Sequence, residues 1–109
     1  MEQVTDPRAR VLIGVDEVRE RLGTSGAAQL LDVRWRLGEP AGAGLERFRE
    51  AHLPGARFLD LEAVLTGPHD DPLQGRHPLP SAEQVVAGLS ELGIDPGRPI
   101  VVYYEPGSF

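Results

Sequence analysis

Apolar residues along the chain form short runs that predict β-strands. Residues 29–33 (QLLDV) are nearly all apolar and do not alternate with polar residues, which is typical of a strand covered on both faces of a parallel sheet. Residues 100–104 (IVVYY) are β-branched and aromatic, and we expect them to form the central strand of the sheet. Residues 11–13 and 56–59 predict two further short strands.

Helical spacing of apolar residues predicts three helices between these runs. Residues 15–22 and 45–51 both show this spacing, and a glycine or a Pro-Gly pair follows each of them. The third helix is predicted to begin at Ser81, because Gln84 lies three residues later as in a capping box, and to end before Gly93.

The alternation of strands and helices predicts an α/β sandwich with a mostly parallel sheet. Ligands of such sheets bind beyond the carboxyl ends of the strands, which are expected at residues 32–34 and 104–107. Residues 66–80 are rich in proline and glycine and predict a long loop. Few residues follow the expected central strand, so we interpret residues 1–109 as one domain that is incomplete at its carboxyl terminus.

Composition argues against several classes of function. The chain has 11 basic and 17 acidic residues, a net charge of −6, whereas nucleic-acid-binding domains carry a basic excess. It contains no cysteine, which excludes a disulfide, a thiolate metal site and a cysteine nucleophile within these residues. No apolar run approaches the roughly 20 residues that span a bilayer, and the first residues lack the apolar core of a signal peptide. We therefore expect a cytoplasmic protein that binds neither nucleic acid nor membrane.

Four segments of the chain together resemble a known family. They are LLDVRWRLG (residues 30–38), FREAHLPGARFLDLEAVL (48–65), RHPLPSAEQ (76–84) and LGIDPGRPIVVYYEPGSF (92–109). In this order they resemble the amino-terminal domain of the tandem-domain sulfurtransferases of the rhodanese family, the thiosulfate and 3-mercaptopyruvate sulfurtransferases. The resemblance implies a rhodanese-like three-layer sandwich, truncated here after the central strand.

The resemblance also implies which part of the enzyme this chain is. In the family, a cysteine of the carboxy-terminal half takes sulfur from the donor as a persulfide and passes it to cyanide or a thiol. Here Val102 and Tyr103 are followed by Tyr104 where a catalytic domain has that cysteine, and tyrosine is a poor nucleophile. We expect a non-catalytic half that is inactive alone and needs no cofactor, with the carboxy-terminal domain and small sulfur-containing anions as partners. The alternative is a stand-alone inactive module for protein interaction or regulation.

Glu62 and His77 match two positions that the resemblance marks as candidate catalytic residues. In 3-mercaptopyruvate sulfurtransferases an acidic residue and a histidine at these positions have been assigned to a proton relay with a serine of the other domain. A carboxylate that fixes the tautomer of a histidine allows the ring to move a proton near neutral pH. The other interpretation is an ordinary loop histidine with a local hydrogen bond, and both remain open.

Other polar residues near the strand ends are interpreted as cleft-lining or structural. Asp32 is expected to accept backbone N–H groups, and Arg34 to pair with a carboxylate such as Glu50. A ring nitrogen of His52 is expected to bond loop backbone, and Tyr104 is included only for its place at the carboxyl end of the last strand.

No metal site is expected. His69, Asp70, Asp71 and His77 could be drawn as ligands, but their spacing on a loop lacks the regular face that a helix would give. The aromatic residues Trp35 and Phe48 are interpreted as core or inter-domain packing.

Overall fold

The computed structural model describes residues 12–22, 28–75 and 77–106. These residues form helices and strands in the alternating order that the sequence predicts. In chain order the elements are α1 (Val15–Leu22), β1 (Gln29–Asp32), α2 (Ala43–Glu50), β2 (Arg57–Phe58), α3 (Leu61–Val64), a 3-10 turn (Pro72–Gln74), α4 (Ala82–Glu91) and β3 (Ile100–Tyr103).

The strands form a parallel sheet in the order β2-β1-β3. In register, Asp32 of β1 lies beside Phe58 of β2 on one side and beside Tyr103 of β3 on the other. The expectation that residues 100–104 form the central strand is therefore corrected: in the described sheet the centre is β1, and β3 lies at an edge. Every residue of β1 is buried, whereas β3 alternates between exposed and half-buried residues.

Helices cover both faces of the sheet. On one face, buried side chains of the strands and loops pack against α3 and α4; these residues are Leu31, Val33, Leu59 and Ile94, with Leu61, Val64, Leu65, Leu89 and Leu92 around them. On the opposite face, the ring of Phe48 in α2 lies 5.6 Å from the ring of Phe58 in β2. The chain thus has the predicted α/β fold, with a parallel sheet between helices.

The sequence located most elements but not all of them. The predicted helix at residues 15–22 is α1, that at 45–51 is α2 with slightly earlier bounds, and the predicted strand at 56–59 shortens to β2. Of the strand expected at residues 11–13, residue 11 lies outside the described residues, and residues 12 and 13 are not in a strand. The helix α3 was not predicted.

Two polar side chains hold α3 in place. Asp60 caps its first turn by accepting the backbone N–H groups of Glu62 and Ala63. Ser81 caps α4 as expected, but the amide of Gln84 does more than a capping box predicts. It donates to the carbonyls at the end of α3, including that of Thr66 at 2.7 Å. Gln84 thereby satisfies carbonyl groups that a short helix leaves without partners.

The helices α3 and α4 pack so closely that a glycine is required between them. A Cβ atom on Gly88 would lie 2.6 Å from Cγ1 of Val64, which is shorter than any ordinary contact. Within the described ranges, every helix is too short or too polar to reach across a bilayer.

We expect Gly88→Ala to destabilise the fold. Overpacking costs about 1–3 kcal/mol, which exceeds the gain of about 1 kcal/mol when alanine replaces glycine inside a helix. Urea unfolding measures the change, and in a Val64→Ala background the same substitution should cost less because the two methyl groups are gone. A Gly88→Ala protein as stable as the wild type would contradict this packing.

Candidate functional site

A buried ion pair lies at the carboxyl end of β1. Asp32 is fully buried, with 0% of its surface exposed. Both of its oxygens accept from the guanidinium of Arg34, Oδ1 from Nε at 2.8 Å and Oδ2 from Nη2 at 2.5 Å. The hydrogen bonds that Arg34 donates to Asp32 raise the pKa of Arg34, against the opposing effect of burial. The two side chains thus form a buried ion pair in which opposite charges offset each other.

Arg34 connects this pair to neighbouring elements. It donates to the carbonyl of Ala51 at 3.2 Å and to Glu105 at 3.5 Å. Glu105 also accepts from Nε of Arg47 in α2 at 2.7 Å, and it forms an ion pair with Arg36 at 3.2 Å. The network joins the end of β1, helix α2 and the segment after β3. We call Asp32, Arg34, Arg36, Arg47 and Glu105, together with Glu39, which pairs with Arg47, the charge network.

These contacts correct two expectations. Arg34 pairs with Asp32 and Glu105 rather than with Glu50, because Glu105 follows the adjacent strand β3 and is brought to the same edge of the sheet. Asp32 accepts from the Arg34 side chain rather than serving mainly as an acceptor for loop backbone. Nearby, the hydroxyl of Tyr103 accepts the N–H of Leu53 at 3.0 Å, and burial raises the pKa of Tyr103.

Removing the positive charge of the pair should destabilise the protein strongly. Arg34→Met leaves the Asp32 carboxylate buried without its counter-charge, for which we expect a loss of about 3–5 kcal/mol in the free energy of unfolding. Arg36→Met is the matched control, since the Arg36 side chain is 46% exposed and an exposed ion pair contributes about 0–1 kcal/mol. Denaturant unfolding of both variants measures the difference. Equal losses would show that burial of Asp32 does not govern this edge.

Glu62 and His77 meet above the same end of the sheet. The Asp60 cap places Glu62 in the first turn of α3. The N–H of Gly67 donates to the carbonyl of Pro78 at 2.7 Å, which closes the loop of residues 66–80 and returns His77 to α3. Glycine is needed at that closure, because a Cβ on Gly67 would lie 2.4 Å from the carbonyl oxygen of Leu79.

Trp35 completes this group. Nε2 of His77 and Nε1 of Trp35 each lie 3.0 Å from Oε1 of Glu62, so one carboxylate oxygen accepts two hydrogen bonds. The rings of Trp35 and His77 meet edge to face with centroids 4.6 Å apart. The contact with His77 is the main cause that lowers the pKa of Glu62, opposed by partial burial and assisted by Trp35. We call these three residues the carboxylate–histidine group.

The group borders a cavity of about 330 Å³. Its walls include Trp35 and Glu62, and also Arg34, Phe58 and Asp60. An ionised carboxylate that holds one nitrogen of an imidazole leaves the other nitrogen free to give or take a proton. The arrangement can therefore orient a histidine for proton transfer, and its partners Trp35 and Glu62 line a space large enough for a small molecule.

The other candidate residues lie apart from this group. His52 stacks on Phe48 with ring centroids 3.9 Å apart, and its Nδ1 lies 2.6 Å from the Phe48 carbonyl, so its backbone partner belongs to α2. Tyr104 directly follows β3 and is 63% exposed. Asp71 accepts the N–H of Leu73 in the 3-10 turn. In the described part of the chain, no three side chains of metal-ligating type come together to hold an ion.

Sequence reasoning missed three residues of this edge. Trp35 was assigned to packing, although it is half-buried and its indole N–H is bonded to Glu62. The ion pairs that Glu105 forms with Arg34 and with Arg47 were not predicted. The available signal for Glu105 was its position just after a strand, because the carboxyl ends of parallel strands meet at one edge of a sheet.

Comparison with known proteins identifies relatives over most of the chain. A Mycobacterium tuberculosis protein named as a thiosulfate sulfurtransferase, SseB, is 41% identical over 96 residues, which are 88% of this chain and 33% of that protein. Thiosulfate/3-mercaptopyruvate sulfurtransferase 2 of Arabidopsis thaliana is 34% identical over 98 residues, 90% of this chain and 27% of that protein. The 3-mercaptopyruvate sulfurtransferase of Homo sapiens is 32% identical over 99 residues, 86% of this chain and 31% of that protein.

The chain spans about a third of the length of these relatives. No family model matches it, and no solved structure does.

Proposed function

The chain belongs to the rhodanese family of thiosulfate and 3-mercaptopyruvate sulfurtransferases, and from this premise we propose that it is the half of such an enzyme that lines the substrate cleft without holding the transferred sulfur. The observation that carries the proposal is that none of its 109 residues is a cysteine. A persulfide requires a thiolate sulfur. That sulfur must then come from a second rhodanese domain, which is the partner we propose.

The proposed reaction transfers sulfur from thiosulfate or 3-mercaptopyruvate to cyanide or a thiol. With 3-mercaptopyruvate, the cysteine thiolate of the second domain attacks the substrate sulfur, and the C–S bond breaks with its electron pair remaining on carbon. The pyruvate enolate so formed takes up a proton to become pyruvate. We assign that proton to His77, held by Glu62, because histidine titrates near neutral pH and these two side chains lie 3.0 Å apart.

The charge network is proposed to shape the cleft rather than to bind an anionic substrate. Each nitrogen of the Arg34 guanidinium already has a carboxylate or carbonyl acceptor. A sulfur-containing anion that bound Arg34 through two nitrogens would have to compete with these acceptors. His52 is likewise assigned a structural role at the end of α2, on account of its stacking on Phe48.

One observation agrees with the proposed function and with the alternative of a protein-interaction module. Val102 of β3 is 55% exposed although it lies beside the buried Leu31 in the sheet, and Ile100 on the same face is 40% exposed. An apolar strand face of this kind suits a covering partner of either type. The reading frame beyond Phe109 separates the two functions: a second domain with a cysteine-bearing loop supports the sulfurtransferase half, and a stop codon supports the module.

We expect residues 1–109 alone to give no sulfur transfer. With thiosulfate and cyanide, or with 3-mercaptopyruvate and a thiol, turnover should equal that of buffer, because no thiolate is present to hold the sulfur. The M. tuberculosis relative, assayed at the same protein concentration, is the positive control. Turnover above buffer by the isolated chain would overturn the proposal.

In an enzyme that contains this domain and its cysteine-bearing partner, we expect His77→Ala to slow the 3-mercaptopyruvate reaction by about 10²- to 10⁴-fold, the range for loss of a general acid–base group. The thiosulfate reaction should change far less, because its leaving group, sulfite, needs no proton on carbon. His52→Ala is the matched control and should leave both rates unchanged. A fall of less than threefold for His77→Ala, with folding intact, would make His77 an ordinary loop histidine.

A further inference from the structure

Trp35 is placed to control how Glu62 and His77 meet. It comes immediately after Arg34, whose side chain is fixed by the charge network, and it is half-buried beside the cavity that Glu62 also lines. Its Nε1–H donates to Oε1 of Glu62 at 3.0 Å. A tryptophan that served only as packing would have no need to direct this group at an exposed carboxylate.

The same oxygen of Glu62 contacts Nε2 of His77, and the rings of Trp35 and His77 touch edge to face. Trp35 therefore contacts both members of the pair. Without the indole N–H, the exposed Glu62 side chain would regain rotational freedom. With the indole N–H in place, Oε1 of Glu62 is held where it contacts Nε2 of His77.

We propose that Trp35 is a positioning residue that fixes the Glu62–His77 pair with Nε2 of His77 toward Glu62, so that Nδ1 is the nitrogen that exchanges a proton with the substrate. The assignment of proton exchange to Nδ1 of His77 rests on the proposed function, whereas the positioning role of Trp35 does not. Because a carboxylate oxygen only accepts hydrogen bonds, Nε2 carries a hydrogen in either charge state of the ring. Proton release must then occur from Nδ1, leaving a neutral ring still bonded to Glu62.

Other charged groups near the pair define the controls. The charge of His69, from the same loop as His77, also lowers the pKa of Glu62, although by less than His77 does. Arg34, Glu39 and Asp60 line the cavity beside Glu62. A response that belongs to the pair must disappear when His77 is replaced and persist when His69 is replaced.

The indole N–H can be observed directly, because Trp35 is the single tryptophan of the chain. In ¹H–¹⁵N correlation spectra of the ¹⁵N-labelled chain, its one indole cross-peak should move by several line widths as pH is varied from 5 to 8. His77→Ala should abolish this movement, Glu62→Gln should shift the peak at every pH, and His69→Ala should leave the movement in place. An indole peak whose position changes neither with pH nor with His77→Ala would overturn the positioning role. These spectra require no turnover, so they decide that role even if sulfur transfer is absent.

The role of Nδ1 is tested in the enzyme with both domains. Replacing Trp35 by benzothienylalanine keeps the shape of the ring but removes its N–H, so folding should be preserved. We expect kcat for 3-mercaptopyruvate to fall by about 10- to 100-fold, the effect of losing one hydrogen bond to a charged group, with KM and the thiosulfate rate within twofold of the wild type. Unchanged kcat would overturn the assignment of proton exchange to this positioned ring. An equal fall in rate with 3-mercaptopyruvate and with thiosulfate would overturn it as well, since it would indicate general distortion of the cleft.

Discussion

The buried ion pair of Asp32 and Arg34 is the interaction on which the carboxyl edge of the sheet depends. A carboxylate removed from water is costly unless it is paired, so Arg34 must stay beside Asp32. The same guanidinium binds the carbonyl of Ala51, just after α2, and the carboxylate of Glu105, just after β3. The need to pair the buried carboxylate of Asp32 with Arg34 therefore determines both where α2 ends and where the chain runs after β3.

The pairing of Asp32 with Arg34 also keeps the charge network separate from the carboxylate–histidine group along the same edge of the sheet. Glu105 is shared by Arg34, Arg36 and Arg47, so the charge network balances its own charges. Trp35 follows Arg34 in the chain, and fixing Arg34 determines the side from which the indole reaches α3. The carboxylate–histidine group is thus held beside the charge network without giving up its hydrogen-bonding capacity to it.

The sequence predicted the elements whose signals are local. The helices α1 and α4 follow from apolar spacing and, for α4, from the Ser81 cap. The four-residue helix α3 has no such signal, because it depends on the Asp60 cap and on the Gln84 amide from another helix. The pairing of Arg34 with Glu105 joins residues 71 positions apart, and strand composition alone did not indicate that β1 lies between β2 and β3. In the site, the resemblance selected Glu62 and His77, but the contact of Trp35 with both could be found only in three dimensions.

In the proposed function, this chain contributes proton transfer but not sulfur transfer, since it has a histidine held by a carboxylate and no cysteine. The proposed division between two domains places two opposing requirements on the position of the histidine. If it were fully buried, it could not reach a substrate held by the other domain, and if it were fully exposed, nothing would orient it. His77 is half-buried against Trp35 and Glu62, so one face of the ring is fixed while part of it remains open to solvent. That position suits the proposed transfer of a proton to a molecule that a second domain binds covalently.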